Sequence, residues 1–301
     1  MENFSILIIS FFLGIIIRKS GQIKGEVIQV INGYILNISL PSLILLYIPK
    51  LNLKPDILIP VSMAWIVFII SFIFFHLLAG VFNIPRLTMY CLILCCGLGN
   101  TSFLGLPMIE IFYGKEGIPI GILCDSPGSF LVLSVLGLPM ILRANNENTT
   151  LKGTIKKIFS FPPFLAFIFS FFLIKTNYPF WLDSTLKTFG ATLVPLALFS
   201  VGYGFNIHSI LKTYKYIIVG LFFKMILIPI IIIFYLKFLN IQNSLLFSVI
   251  VFESAMPPMI TAGIIAMEKG IDKELASNLI PVGIILSFPT LFIWNRILSS
   301  F

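Results

Sequence analysis

The chain has 301 residues, of which 58% are hydrophobic and 11% are charged, and its mean hydropathy is +1.05. Soluble domains carry about 25% charged residues, so this composition excludes an ordinary soluble globular protein. The formal net charge of +8 does not indicate nucleic-acid binding, because the Lys and Arg residues are scattered between apolar stretches and form no continuous basic face.

Each apolar stretch is close to the length that crosses a bilayer as a helix, about 20 residues. The sequence therefore predicts an all-α polytopic membrane protein with ten transmembrane helices. The predicted spans, numbered 1 to 10 in chain order, are 4–18, 27–49, 57–82, 87–112, 117–142, 158–175, 180–205, 216–239, 244–267 and 275–296. Loops on one side of this arrangement carry twelve Lys and Arg residues and those on the other side seven. Because cytoplasmic loops retain such residues, we predict a multi-pass protein of the cytoplasmic (inner) membrane with both termini outside.

A hydrophilic segment at 143–157 divides the predicted spans into two sets of five. An odd number of spans makes the second half enter the membrane from the opposite side, as in the inverted-topology repeats of secondary transporters. The sequence thus predicts a first five-helix repeat at 1–142, a cytoplasmic connecting loop at 143–157 and a second five-helix repeat at 158–301.

Proline-containing pieces recur in the same order in the two halves. Pro41 of span 2 and Pro195 of span 7 lie 154 residues apart in similar apolar surroundings, and Pro139 and Pro289, in spans 5 and 10, lie 150 residues apart. Near-equal offsets support an internal repeat.

Spans 4 and 9 are the most interrupted, by GLGNTSFLGLP from Gly97 and by ESAMPPMITAG from Glu253. Proline removes a helical hydrogen bond, and Gly and Asn weaken the helix, so we expect both spans to unwind at mid-membrane depth. The free N–H groups of a half-helix suit an anion and the free carbonyls suit a cation. Alternatively, these residues only kink the helices. The candidate substrate-binding residues at this crossing are Gly99, Asn100, Thr101, Ser102, Pro107, Met256, Pro257, Pro258 and Thr261.

Three ionisable residues inside predicted spans are candidates for proton or ion coupling, because charges in hydrocarbon are costly: Asp125, Lys224 and Glu253. Glu253 is a proton carrier or cation ligand, or else it pairs with Lys224 or with a helix end. Asp125 binds a cation or caps the turn that follows it. Lys224 attracts the carboxylate of a substrate, neutralises Glu253, or extends to the membrane interface.

The chain resembles the auxin efflux carrier family in GNTSFLGLP of span 4, in AMPP of span 9, and in ISLPSLIL and VPLALFSVG of spans 2 and 7. This family includes bacterial carriers of malate- and malonate-like anions and the plant auxin exporters, and the resemblance covers nearly the whole chain. It implies two inverted five-helix repeats whose broken spans 4 and 9 cross at mid-membrane, as in folds like that of the bile-acid symporters.

By this resemblance, Gly99 and Asn100 hold the place of the Pro-Asn pair at the crossing in the plant exporters, and Pro257 holds that of the second crossing proline. The acidic residue and lysine that the plant exporters carry in their third helix have no counterpart at 57–82. Auxin itself is therefore not the expected substrate.

We expect a secondary active transporter that carries a small organic anion by alternating access, with H⁺ or Na⁺ as the coupling ion. A passive channel remains an alternative, since broken helices also line pores. An intramembrane enzyme is a weaker alternative, because GxSxG and HExxH motifs are absent. No P-loop, cofactor site or metal site is expected. The sequence leaves the oligomeric state open, a homodimer included.

Overall fold

The computed structural model describes residues 2–21, 26–50, 57–144, 159–160, 162–174, 176–205, 207–241 and 244–300. Within these residues the protein is almost entirely helical, and the β-type pairing consists of one isolated bridge between two segments. The predicted connecting loop at 143–157 falls outside the described residues apart from Arg143 and Ala144, which end a helix.

The described helices follow one another along the whole chain. They are α1 Glu2–Ser20, α2 Glu26–Tyr34, α3 Leu40–Tyr47, α4 Leu58–Phe82, α5 Arg86–Gly97, α6 Leu106–Leu123, α7 Leu138–Ala144, α8 Pro162–Phe172, α9 Phe180–Ala191, α10 Leu193–Gly204, α11 Ile207–Phe222, α12 Ile228–Phe238, α13 Ser244–Ser254, α14 Ile260–Glu268 and α15 Lys273–Leu298.

Six helical stretches of the described chain are long and apolar enough to cross a membrane: Glu26–Tyr47, Leu58–Phe82, Glu116–Ala144, Phe180–Gly204, Ile210–Phe238 and Lys273–Leu298. All six coincide with predicted spans. Shorter apolar helices lie within predicted spans 4, 6 and 9. The all-helical membrane class is therefore confirmed, while the arrangement of ten spans as two inverted repeats stays a prediction.

Widened, π-helical turns interrupt several of these helices two residues before a proline. The turns are Ile35–Ser39, Thr101–Gly105, Leu133–Gly137 and Phe223–Leu227, and the prolines are Pro41, Pro107, Pro139 and Pro229. A proline ring clashes with the carbonyl four residues earlier, and that carbonyl belongs to the central residue of each turn. The residue before the proline bonds five residues back instead. Proline therefore widens these helices without ending them.

The chain forms two compact units, each of which takes helices from both halves of the sequence. The first contains the described residues between Met1 and Lys54 and between Asn146 and Phe205, and the second those between Pro55 and Asn145 and between Asn206 and Phe301. Inside the first unit, polar side chains pair with each other: the Ser39 and Thr192 hydroxyl oxygens are 2.8 Å apart, and Ser200 donates to Asn32 over 2.6 Å.

The core of the second unit consists largely of the interrupted helices. In α5, α13 and α14 nearly every residue close to the interruption is buried, whatever side of the helix it occupies. Burial on all sides means that other segments of the unit surround these helices. By contrast, α4 leaves Leu77 and Val81 exposed, as expected for a helix that borders lipid. The interruptions therefore lie at the centre of this unit.

Candidate functional site

The first interruption lies in predicted span 4, where α5 ends at Gly97. Leu98 adopts an extended conformation (φ −126°, ψ 138°), and Asn100 is also non-helical (φ −78°, ψ 62°). The chain then resumes a helix at Thr101, first as a widened turn and then as α6. A glycine and an asparagine, which are weak helix formers, thus occupy the break.

The second interruption lies in predicted span 9, where α13 ends at Ser254 and α14 begins at Ile260. Two adjacent prolines, Pro257 and Pro258, stand between them, and proline has no N–H with which to continue a helix. Met259 is extended at φ −67° and ψ 124°. We call the two breaks together, residues 98–100 and 255–259, the crossover.

Backbone hydrogen bonds join the two breaks directly. The N–H of Asn100 donates to the carbonyl of Pro257 over 2.8 Å, and the N–H of Met259 donates to the carbonyl of Leu98 over 3.1 Å. These bonds form an antiparallel bridge between Gly99 and Pro258. The backbone groups that leave the helices thus satisfy one another, which buried polar groups in a membrane protein require.

Most of the predicted binding residues lie at or next to the crossover. Asn100, Thr101, Met256 and Thr261 are at most 2% exposed. Gly99, Pro257 and Pro258 are also buried, while Ser102 is half-buried on the widened turn. Pro107 lies apart from the others, in the first turn of α6. The Oδ1 atom of Asn100 has no hydrogen-bond partner within the described part of the chain, so this buried side chain can still accept a bond.

Asp125 lies against the start of the helix that follows the first break. It belongs to a widened segment, Cys124–Phe130, and accepts hydrogen bonds from the hydroxyls of Thr101, at 2.6 Å, and of Ser102. The Ser126 hydroxyl also donates to it, at 3.4 Å. The carboxylate thus contacts the N-terminal end of another helix, where a negative charge is favourable.

Lys224 reaches the crossover from the widened turn Phe223–Leu227, between α11 and α12. Its side chain is 1% exposed, which excludes the alternative that it extends to the membrane interface. The ammonium group donates to the carbonyl of Ser254, the last residue of α13, over 2.9 Å. Gly99 lies beside it, since a Cβ atom added to that glycine would be 3.2 Å from Nζ.

Glu253 is fully buried in the last turn of α13. Neither of its carboxyl oxygens has a hydrogen-bond partner among the residues described, so it forms no hydrogen-bonded pair with Lys224 there. The carboxyl group rests against two glycines: an added Cβ would come within 2.7 Å of both oxygens at Gly105 and 3.1 Å from Oε1 at Gly121. An ionised carboxylate in such a place is costly without a donor or a cation.

Sequence reasoning missed the glycines that make room for Glu253. The only available signal was the presence of small residues in apolar spans, which allow helices to approach closely. That signal does not identify the side chain that fills the space. The bond from Lys224 to the end of α13 was also not anticipated, because the two residues are separated by 30 positions.

Comparisons with known proteins indicate a membrane transporter. A family model described as "Membrane transport protein" matches residues 1–295. The chain is 26% identical over its whole length to an uncharacterized transporter of Methanocaldococcus jannaschii, of which the match covers 99%. It is 27% identical to an uncharacterized transporter of Methanothermobacter thermautotrophicus, in a match that covers 97% of this chain and 96% of the relative.

Proposed function

The chain belongs to the membrane transport protein family, which is the auxin efflux carrier family, and on that premise we propose that it carries a small organic anion across the cytoplasmic membrane by alternating access. It is a multi-pass membrane protein of a transporter family. Membership of such a family favours a carrier over an enzyme. In this proposal the solute is a carboxylate, and it binds at the crossover.

The observation that carries the proposal is the pair of helix breaks joined back to back in the core of one unit. Two helices begin at the crossover, and the first N–H groups of each have no acceptor within their own helix. At the first break this positive end already faces the carboxylate of Asp125. At the second break, α14 has no side-chain cap and no acidic residue in its first turn.

The start of α14 is therefore the place at which a bound anion meets the least negative charge. A carboxylate there accepts bonds from the free N–H groups of the first turn, as anions do at other helix N-termini. Asn100 lies across the bridge from this helix, and in this proposal the N–H₂ group of its side chain donates a further hydrogen bond to the solute. These features of the start of α14 suit a short carboxylate anion.

Glu253 supplies the group for coupling in this proposal. A buried carboxyl group without a donor is stable when it carries a proton and costly when it is ionised. Release of that proton to one side of the membrane and its uptake from the other would couple solute movement to a proton gradient. The binding site at the crossover would open to one side of the membrane and then to the other.

A counterflow assay tests this proposal. Purified protein is reconstituted into liposomes loaded with unlabelled malonate, and uptake of labelled malonate and malate is measured from a dilute external solution. A carrier shows saturable uptake that internal substrate accelerates, because one site is exposed to each side in turn. Uptake that rises linearly with concentration and ignores the internal anion would identify a passive channel and overturn the proposal.

Orientation is a separate part of the proposal, with both termini outside. A cysteine introduced at Asn146, which lies outside the described residues, should react with an impermeant thiol reagent from the cytoplasmic side. The four native cysteines are buried and give little background. Reaction from the external side would reverse the orientation while leaving the transport proposal untouched.

A further inference from the structure

Two helices end at the crossover, α5 at Gly97 and α13 at Ser254. The last carbonyls of a helix have no donor within it and carry a partial negative charge. In a membrane, water does not supply the missing donors unless a cavity admits it. The way in which each of these carbonyls is satisfied therefore indicates what the crossover can bind.

The carbonyls at the end of α13 each have an identified donor. The N–H of Ala255 donates to Val251 and Phe252, and the N–H of Met256 donates to Glu253. The carbonyl of Ser254, which follows them, accepts from the ammonium group of Lys224 at 2.9 Å. A side-chain cation thus covers the final carbonyl of this helix.

The same ammonium group lies next to the other break. An added Cβ at Gly99 would be 3.2 Å from Lys224 Nζ and 3.5 Å from the carbonyl oxygen of Glu253. Gly99 has no side chain, so the ammonium keeps this position between the two segments. The end of α5 lies only two residues earlier, at Gly97.

Pro229 helps to place this lysine. The proline widens the helix at Phe223–Leu227, and Lys224 belongs to that turn. Two buried neighbours in the turn, Phe223 and Met225, fix its orientation in the core. The lysine is therefore held by a local feature of its own helix, independently of any solute.

We propose that Lys224 is the resident cation of the crossover, occupying the position in which a metal cation would otherwise neutralise the helix ends. An ammonium group has three donors and one positive charge, which suit carbonyl oxygens at the end of a helix, such as that of Ser254. The protein therefore needs no Na⁺ at this place, and removal of the side chain opens a site for a small cation. This inference deepens the proposed function, since it assigns the class of coupling ion.

Thermal unfolding of the purified protein in detergent tests the inference. The midpoint is measured in chloride salts of choline, potassium and sodium at equal ionic strength. We expect one midpoint for the native protein in all three salts. Lys224→Ala should unfold about 5 °C lower in choline, because the buried carbonyl of Ser254 loses its donor, and should recover part of that loss in sodium.

Three further variants separate the resident charge from simple packing. Lys224→Met fills the space without a charge, so its midpoint should be low in every salt. Lys224→Arg keeps the charge and should show no response to sodium. Met225→Ala removes a side chain that is 2% exposed from the same turn, and its lowered midpoint should be equal in the three salts. Methylammonium should also raise the midpoint of Lys224→Ala, since it restores the lost group.

A midpoint of the native protein that rises in sodium relative to choline would overturn the inference, because the site would then already admit a metal cation. A Lys224→Ala variant with the native midpoint and no response to sodium would overturn it as well. If that variant does not fold, binding of ²²Na⁺ is measured on the native protein and on Lys224→Met. Binding to the native protein refutes the inference, and a lack of binding to both proteins supports it. None of these measurements involves a carboxylate, so failure of the transport proposal is distinguishable.

Discussion

At the first break, residues 98–100, the chain leaves the helix through glycine and asparagine, and the helix that follows begins beside the carboxylate of Asp125. At the second break, residues 255–259, two adjacent prolines interrupt the chain, and the helix that follows begins without an acidic side chain. The two breaks are alike in their backbone bonds, since each donates one N–H to the other. They differ in the charged side chains that lie around them.

This difference assigns separate tasks to the two breaks. Asp125 supplies a negative charge at the start of the helix that follows the first break. Lys224 supplies a positive charge at the end of α13, the helix that precedes the second break. The start of α14 remains uncapped. In the proposed function, this uncapped helix start receives the anion. Four variants test the difference between the two breaks.

Cysteines precede the first break, whereas a fully buried acid, Glu253, precedes the second. The largest expected effect is therefore that of Glu253→Gln. Glutamine has the same size but cannot release a proton, so malonate accumulation driven by a proton gradient should be lost while exchange of malonate continues. Proteoliposome uptake under an imposed pH gradient measures both. Glu110→Gln, at an exposed position of α6, is the control and should accumulate malonate normally. Unchanged accumulation in Glu253→Gln would remove this carboxyl group from coupling.

Asp125→Ala tests the charge that distinguishes the first break. The hydroxyls of Thr101, which is buried, and of Ser102, which is half-buried, lose their acceptor, and a buried unsatisfied group costs about 1–3 kcal/mol. The unfolding midpoint should fall by about 5–10 °C. Asp125→Asn retains an acceptor oxygen and should lose less. Equal midpoints for the two variants would show that the hydrogen bonds to these hydroxyls contribute little.

Gly105→Ala tests the close contact between the helix that follows the first break and the carboxyl group of Glu253, which precedes the second break. The new Cβ would overlap Glu253 Oε2, at 2.5 Å, so the carboxyl group or the helix must shift. Overpacking of this kind costs about 1–3 kcal/mol, or roughly 5 °C in the unfolding midpoint. Gly80→Ala is the matched control, because nothing lies within 4 Å of a Cβ there. A smaller fall at Gly105 than at Gly80 would contradict the close contact.

The smallest expected effect is that of Asn100→Ala, which removes a polar side chain from the bridge and leaves its backbone bond in place. Loss of one hydrogen bond to the solute corresponds to about 1.4 kcal/mol, or tenfold weaker binding. Titration of the unfolding midpoint with malonate and malate measures this, and the midpoint without ligand should stay nearly constant. Asn37→Ala removes an exposed asparagine whose side chain donates to the carbonyl of Gly33 in its own helix, and this variant should bind the anions as the native protein does. Equal affinities would relocate the solute.

Much of the secondary structure follows from the sequence because it reflects local chemistry. Predicted span 3 at 57–82 and span 7 at 180–205 match Leu58–Phe82 and Phe180–Gly204 within a residue. Span 8 was predicted to begin at 216, but α11 begins at Ile207. Hydropathy reports the length inside the bilayer, and the helix continues past it through Lys212 and Lys215. The positions of both breaks were also predictable, since Gly, Asn and Pro act on their own turn.

The sequence by itself determined a helical membrane protein, its interruptions and the few buried ionisable residues, because apolar length and proline geometry act within a few residues of the chain. Only the tertiary structure decided that Asp125 contacts the start of one helix, that Lys224 donates to the end of another, and that the carboxyl group of Glu253 lies against Gly105 without a hydrogen-bond partner in the described part of the chain. Those contacts join residues that are 23 to 148 positions apart, and their geometry depends on how the helices of one unit pack.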